Sequence, residues 1–322
     1  MLHIRFPGLD LGHMKLGARP TPVRPLALDG IEGVDLWVKD ESVFGDGGWG
    51  GNKVRKLEWI LPEAKRRGVR TLFTVGGIGT HWGLACARYG AEHGFRTVLG
   101  LVDQPVDDHV REQLARLQAS GAELHRYPTP ARLRLAAPWL MARYAGDWRL
   151  PWYLPAGGSN EFGTLGYVET ALEIAKQVAH GELPEPGTVV VPVGSGGTVA
   201  GLALGLSLAG LSARVFGVVV NDTLDLSAPA LAGLASRTAE LLVSRGAAGP
   251  FTMSEDCITV SNDWLGSTYG DPTPASVTMV EAGARAGLEL EPVYTGKALA
   301  AIADIGPQLP GPVLWLNTHG PR

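Results

Sequence analysis

Val189-Val190-Val191-Pro192-Val193-Gly194-Ser195-Gly196-Gly197-Thr198-Val199 is the stretch on which the fold turns. The β-branched run reads as a strand, the glycines as a loop, and the apolar segment from Val199 to Leu208 as a helix. Glycines let successive backbone N–H groups converge just where a helix N-terminus carries partial positive charge, and Ser195 and Thr198 add hydroxyl donors. Such an element suits a phosphate, and it also suits a tight turn that needs glycine for packing. Two nucleotide loops fail on spacing. A Walker loop needs lysine where Gly197 stands, and a dinucleotide fingerprint needs glycine where Val199 stands and an acid earlier than Asp222.

Outward from this element, β-branched runs alternate with helical periods. Residues 34–39, 71–75, 96–102, 189–193, 214–220 and 313–316 are expected strands, and 107–120 an expected helix with Val110, Leu114 and Leu117 on one face. This alternation predicts an α/β fold of mainly parallel sheets wrapped by helices, arranged as two open twisted lobes with a ligand cleft at the strand C-termini. A joint is expected around residues 127–159, where prolines cluster with Trp139, Trp148 and Trp152, tryptophans read as packing rather than ligand contacts.

A second element repeats the anion theme. Five glycines between Gly45 and Gly51 precede Asn52-Lys53-Val54-Arg55-Lys56-Leu57-Glu58, and apolar Leu57, Ile60, Leu61 and Ala64 keep helical spacing toward a stop at Gly68. With Asn52 as N-cap, Lys53, Arg55 and Lys56 crowd the first turn, where each exposed cation costs roughly 0.3 to 1 kcal/mol unless an anion is present. The segment is either a second anion cradle or a solvated basic turn.

The chain has 322 residues, 45% hydrophobic and 19% charged, with a formal net charge of -4, enough for a large core and without the basic runs of a nucleic-acid or membrane-surface protein. The expected partner is a small molecule. Cys86 and Cys257 stand far apart in apolar contexts, which predicts reduced thiols, no zinc site and a cytoplasmic setting. No signal peptide is visible at the N-terminus, and Pro192 with the Gly194 loop cuts the uncharged tract 186–213 too short to span a membrane.

Two phosphate-seeking elements, one offering an amine, suggest pyridoxal 5′-phosphate, whose phosphate needs a cradle and whose aldehyde needs a lysine. Gly50 to Glu58, Gly76-Gly77-Ile78, Ala156-Gly157-Gly158-Ser159-Asn160, Gly194 to Thr198 and Glu291-Pro292-Val293-Tyr294-Thr295-Gly296-Lys297 occur in the order seen in one family. The chain resembles the 1-aminocyclopropane-1-carboxylate deaminase and D-cysteine desulfhydrase family, of the tryptophan synthase β-like, fold type II pyridoxal enzymes. The resemblance covers nearly the whole chain. It implies a large cofactor-binding lobe of residues 1–52 and 161–322, a smaller substrate-closing lobe of residues 53–160, and a homodimer.

Carried over residue by residue, the resemblance makes Lys53 the Schiff-base lysine, Lys56 a phosphate contact beside Gly194, Ser195, Gly196, Gly197 and Thr198, and Tyr269 and Tyr294 the substrate-side tyrosines. Burial and neighbouring cations are expected to lower the Lys53 pKa. Where the family's deaminases place glutamate after the tyrosine, this chain has Thr295, as in desulfhydrase-like members. Thr318, in Asn317-Thr318-His319-Gly320, is the expected contact of the pyridine nitrogen, and Thr295 is a second candidate for it. The chain stops at Arg322, earlier than the family usually does. The family's Gln-Ser-Asn-His or Gln-Ser-Asn-Gln loop is here Gly79-Thr80-His81-Trp82. Thr80 is the expected replacement for the serine hydroxyl and His81 for the asparagine at the cofactor oxygen. Trp82 either shrinks the pocket or packs away from it.

The implied activity is α-proton removal and β-elimination from a D-cysteine-like amino acid, giving a 2-oxo acid and ammonia. Cyclopropane opening and β-replacement are its variants. Two other classes compete: a nicotinamide oxidoreductase, disfavoured by the glycine spacing, and a pyridoxal-binding protein that has lost its chemistry, disfavoured by the survival of Lys53, Tyr294 and the phosphate loop.

Overall fold

The computed structural model describes residues 1–45 and 51–320; Gly48, Trp49 and Gly50 of the glycine run, and Arg322, lie outside the described residues. Numbered along the chain, its strands are β1 (Val23–Pro25), β2 (Leu36–Asp40), β3 (Thr71–Gly77), β4 (Arg96–Val102), β5 (Glu123–Tyr127), β6 (Trp152–Leu154), β7 (Thr188–Val193), β8 (Arg214–Val219), β9 (Ile258–Ser261) and β10 (Val313–Asn317). The helices are α1 (Leu2–Arg5), α2 (Val54–Arg66), α3 (His81–Glu92), α4 (Asp108–Ala119), α5 (Pro130–Arg143), α6 (Glu161–Ala179), α7 (Gly197–Ala209), α8 (Ala228–Ser244), α9 (Pro274–Arg285) and α10 (Thr295–Ile305).

Two sheets result. One has the order β1-β2-β10-β7-β8-β9, parallel except for the β1–β2 pair; the other has the order β5-β4-β3-β6 and is parallel throughout. β7 lies between β10 and β8, with Thr188 opposite Arg214 and Val193 opposite Val219, and every one of its residues is buried. That burial explains its unbroken apolar run, since a strand covered on both faces has no solvent side to alternate toward. α7 is likewise apolar all round, and it packs on α6 so closely that a Cβ on Gly205 would lie 2.5 Å from the Ala171 methyl. Each Val or Leu buried here contributes about 1.5 to 3 kcal/mol.

The six expected strands all form, and the expected helix is α4, where the Asp107 carboxylate accepts from Val110 N at 2.8 Å and Gly121 closes the end at φ +76°. Three expectations need correction. Residues 127–159 are no joint: α5 and β6 lie within them and complete the smaller sheet, and the chain crosses to α6 only at residues 155–160. Trp139 and Trp148 are exposed, whereas Trp152 packs edge-on to Phe162 at 5.8 Å. Asn52 is not the N-cap of α2; residues 51–53 make a 3-10 turn and Lys53 takes the cap position. Both cysteines are free, Cys86 buried and Cys257 half-buried. Among the described residues, no helix is long and apolar enough to cross a membrane.

Candidate active site

The C-terminal ends of β3, β7, β8 and β10 and the start of α2 converge, as the topology of open parallel sheets requires of a ligand site. Two of the three cations at the start of α2 have opposite fates. Arg55 is fully buried on the far side, held by the Glu41 carboxylate at Nε and, through Nη2, by Glu41 at 2.8 Å and Glu173 at 3.1 Å. Lys39 joins this cluster, donating to Glu173 at 2.7 Å and to Gln177 at 2.8 Å. Arg55 therefore belongs to neither alternative the sequence leaves open for this segment, an anion cradle or a solvated basic turn.

Lys56 points the other way. Its buried Nζ donates to Gly157 O at 2.8 Å and Ser159 Oγ at 3.1 Å, both neutral oxygens. Ser159 Oγ also lies 2.9 Å from Ser195 Oγ and accepts from Gly197 N at 3.0 Å, which ties the 155–160 crossing to the glycine loop. Gly196 caps α7 in the left-handed region at φ +89°, a conformation that frees the turn's N–H groups. Thr198 is buried and bonded to the Tyr167 hydroxyl. Burial, and then the Lys53 charge, hold the Lys56 amine well below its ordinary range. An anion among these groups would reverse that.

Lys53 stands one helical turn before Lys56. Burial lowers its amine from 10.5 to about 8. Among the described residues the charge that acts on it is the Glu291 carboxylate, which opposes the shift, rather than a neighbouring cation. Glu291 is buried and accepts from the backbone N–H groups of Val293, Tyr294 and Thr295 at 2.8, 2.8 and 2.7 Å. Nothing in the sequence singles out Glu291, because only the fold brings it to Lys53. The Thr295 side chain is fully buried, its hydroxyl donating to Glu291 O at 3.0 Å and accepting from Glu291 N at 3.0 Å. Thr295 thus serves its own turn and leaves no free hydroxyl for a ring nitrogen. Thr318 is half-buried at the end of β10, between Asn317, which donates to Asp40 at 3.1 Å, and His319.

The tyrosines meet. Tyr269 and Tyr294 hydroxyls are 2.6 Å apart with the rings edge to face, and Tyr294 lies so close to Gly194 that a Cβ there would come within 2.7 Å of it. Burial raises both phenols, Tyr294 well above its ordinary range. The end of β8 holds this pair in place: Asp222 accepts from Tyr269 N at 3.1 Å and Asn221 donates to Gly194 O at 2.8 Å. Neither role is legible in the sequence, because Tyr269 and Gly194 come near Asp222 and Asn221 only in the fold.

In the loop after β3, Thr80 caps α3, accepting from Gly83 N at 3.1 Å, which leaves its hydroxyl proton free to donate. His81 begins α3 and meets His109 of α4. Trp82 does not face a ligand: its buried indole lies beneath Gly158 and its N–H donates to Thr74 Oγ1 at 2.7 Å. The assignment of Trp82 to substrate contact is corrected accordingly. Gln104, also unforeseen, covers the loop so closely that a Cβ on Gly77 would fall 1.8 Å from its Oε1. Among the described residues no cluster of three or more His, Cys, Asp or Glu could hold a metal ion.

An amine made partly neutral by burial, beside a half-buried cradle of N–H, hydroxyl and lysine amine donors, defines a site for a phosphorylated aldehyde cofactor. The chain belongs to the pyridoxal-phosphate dependent enzyme family, whose model matches residues 14–318. Over 98% of its length it is 33% identical to the D-cysteine desulfhydrases of Klebsiella pneumoniae (strain 342) and Salmonella choleraesuis (strain SC-B67), covering 94% of each. It superposes on an ACC deaminase homologue with a TM-score of 0.80 at 27% identity, covering 99% of this chain and 93% of that one. An O-ureido-L-serine synthase, at 21% identity and a TM-score of 0.63, shares the fold. Pyridoxal phosphate is the cofactor and the fold is type II.

Proposed function

We propose that this chain is a D-cysteine desulfhydrase-like lyase, which takes a small amino acid with a β-leaving group and returns a 2-oxo acid, ammonia and, from D-cysteine, sulfide. The observation that carries the reading is the Tyr269–Tyr294 hydroxyl pair, 2.6 Å apart over Gly194 and beside Glu291, the carboxylate that acts on Lys53. Likeness to the D-cysteine desulfhydrases supports the substrate class.

In this reading Lys56, Ser159, Ser195 and the N-terminal N–H groups of α7 hold the cofactor phosphate, with Gly194, Gly196 and Thr198 shaping the loop. Bound there, pyridoxal phosphate supplies an aldehyde for amine exchange and a conjugated ring that accepts the electron pair left by the α-proton. Lys53, partly neutral at pH 7 to 8, would hold the cofactor's aldehyde carbon through Nζ and, once the substrate amine had displaced it, would accept the α-proton at that atom. Tyr269 donates a proton through its contact with Tyr294 to the departing sulfur, and the short bond spreads the charge left behind. Thr80 and the first N–H groups of α3 would receive the substrate carboxylate at a helix N-terminus, and His81 would supply a hydrogen-bond partner for the cofactor. Thr318 offers the ring nitrogen a neutral hydroxyl, too weak to hold it protonated, which favours a prompt leaving group over cyclopropane opening.

Residues 1–52 and 161–322 form the cofactor lobe in this proposal, and 53–160 close over the substrate. A homodimer and a cytoplasmic setting belong to the same proposal. Incubation with D- and L-cysteine, other β-substituted alanines and 1-aminocyclopropane-1-carboxylate, with detection of keto acid, ammonia and sulfide, tests it. Sulfide with pyruvate from D-cysteine is expected; turnover of the cyclopropane alone, or none on the panel, contradicts it. Sizing chromatography of the same sample tests the dimer.

A further inference from the structure

His81 opens α3 and His109 lies in the first turn of α4; their Nε2 atoms are 2.9 Å apart, with ring centroids 5.0 Å apart and planes inclined by 24°. A nitrogen-to-nitrogen hydrogen bond needs one N–H and one lone pair. Two neutral rings meet that need, and one extra proton on either ring still meets it. Protons on both rings set two donors face to face and open the contact.

The surroundings favour a neutral His81. His319 lies edge-on to His81 at 6.4 Å from the segment after β10, Arg116 acts on it from α4, and Lys53 from the start of α2. The acids at the head of α4 are engaged elsewhere, Asp107 with Val110 N at 2.8 Å and Asp108 with Arg111 at 2.5 Å. Burial first, then His109, His319, Lys53 and Arg116, hold His81 well below the ordinary imidazole range.

We propose that His109 is a positioning residue of the cleft, fixing His81 in one orientation and one neutral tautomer at the loop that faces Lys53. When His109 donates at the contact, His81 keeps its proton on Nδ1 and offers a donor to the cleft. When His81 donates, its Nδ1 becomes an acceptor. An oxygen anion in the cleft selects the first arrangement. The ligand side of this inference rests on the function proposed above, but the pairing does not.

The test is a pH titration of the holoprotein with 15N-labelled histidine, followed by NMR, on the wild type, His109→Phe and His109→Gln, with steady-state kinetics on D-cysteine. The wild type should show the two rings titrating as one coupled unit, with His81 neutral below the ordinary midpoint. In His109→Phe the His81 midpoint should rise and KM increase about tenfold, the effect of one lost hydrogen bond, with kcat less affected. His109→Gln, whose amide can donate to the same nitrogen without gaining a proton, should restore KM. Independent titration of the two rings in the wild type overturns the proposal even if His109→Phe does not fold. So does an unchanged KM in His109→Phe, or failure of His109→Gln to recover it. Coupled titration in a protein without D-cysteine turnover upholds the pairing and defeats the function proposed above.

Discussion

Arg55 and Lys56 are adjacent on α2, and their charges meet opposite surroundings. Behind the helix, Arg55 and Lys39 are enclosed with Glu41 and Glu173, so protein carboxylates complete the charge balance. In front, Lys56 and Lys53 face hydroxyls, N–H groups and carbonyls, with Glu291, among the described residues, the one carboxylate that acts on Lys53. A buried cation that the fold neutralises is structural; a buried cation that it leaves to neutral donors and acceptors awaits an anion from outside. The first lesson is therefore about stability and the second about ligand.

Substitutions on the two sides should separate these roles. Glu173→Ala strips the rear cluster of one carboxylate and leaves buried positive charge, which should cost about 3 to 5 kcal/mol in urea unfolding, with or without cofactor. A loss under 1 kcal/mol would mean that the cluster behaves like a surface pair. The same cluster sets an acid limit. Arg55 and Lys39 outweigh burial and lower Glu173 from 4.5 to about 2, so its contribution is fully present above pH 4.5 and fades as pH falls toward 2. Unfolding midpoints between pH 5 and 2 should decline in the wild type and stay flatter in Glu173→Gln.

Trp82 sharpens the contrast from the small sheet, because its indole fills core beneath the cleft rather than the cleft itself. Trp82→Ala should cost about 3 to 5 kcal/mol of stability, with the order of substrate preference unchanged. A reordered preference at undiminished stability would return Trp82 to the pocket. The smallest effect is kinetic. Neutral amine is the form that attacks an aldehyde, so capture of pyridoxal phosphate by the apoprotein should quicken with pH and level off above about 8, the Lys53 value. A rate still climbing through pH 10 would place the reacting amine elsewhere.

The contrast also explains what could be read in advance. All four strands the sequence reading passed over, β1, β5, β6 and β9, are the edges of their sheets. An edge strand is paired on one side only, and it is kept short or polar to discourage further pairing. β5 reads Glu-Leu-His-Arg-Tyr, and β1 and β6 have three residues each, so none carries the apolar run that betrays β7. At the site, glycine loops and Lys53 were legible because backbone geometry demands those residue types locally. Asp222, Gln104 and His109 were not, since each acts on a loop that the tertiary fold alone brings near. Arg55 misled for the same reason: its carboxylates come from positions 41 and 173.

The central claim is that the front of α2 is built for the cofactor's phosphate, and the direct measurement is a cycle of four affinities. Pyridoxal phosphate and pyridoxal are titrated by absorbance into the apoprotein of the wild type and of Lys56→Met, with apoprotein stability measured alongside. The phosphate should tighten binding to the wild type, and this advantage should shrink about tenfold or more in Lys56→Met while the apoprotein loses no stability. An equal phosphate advantage in both proteins would contradict it.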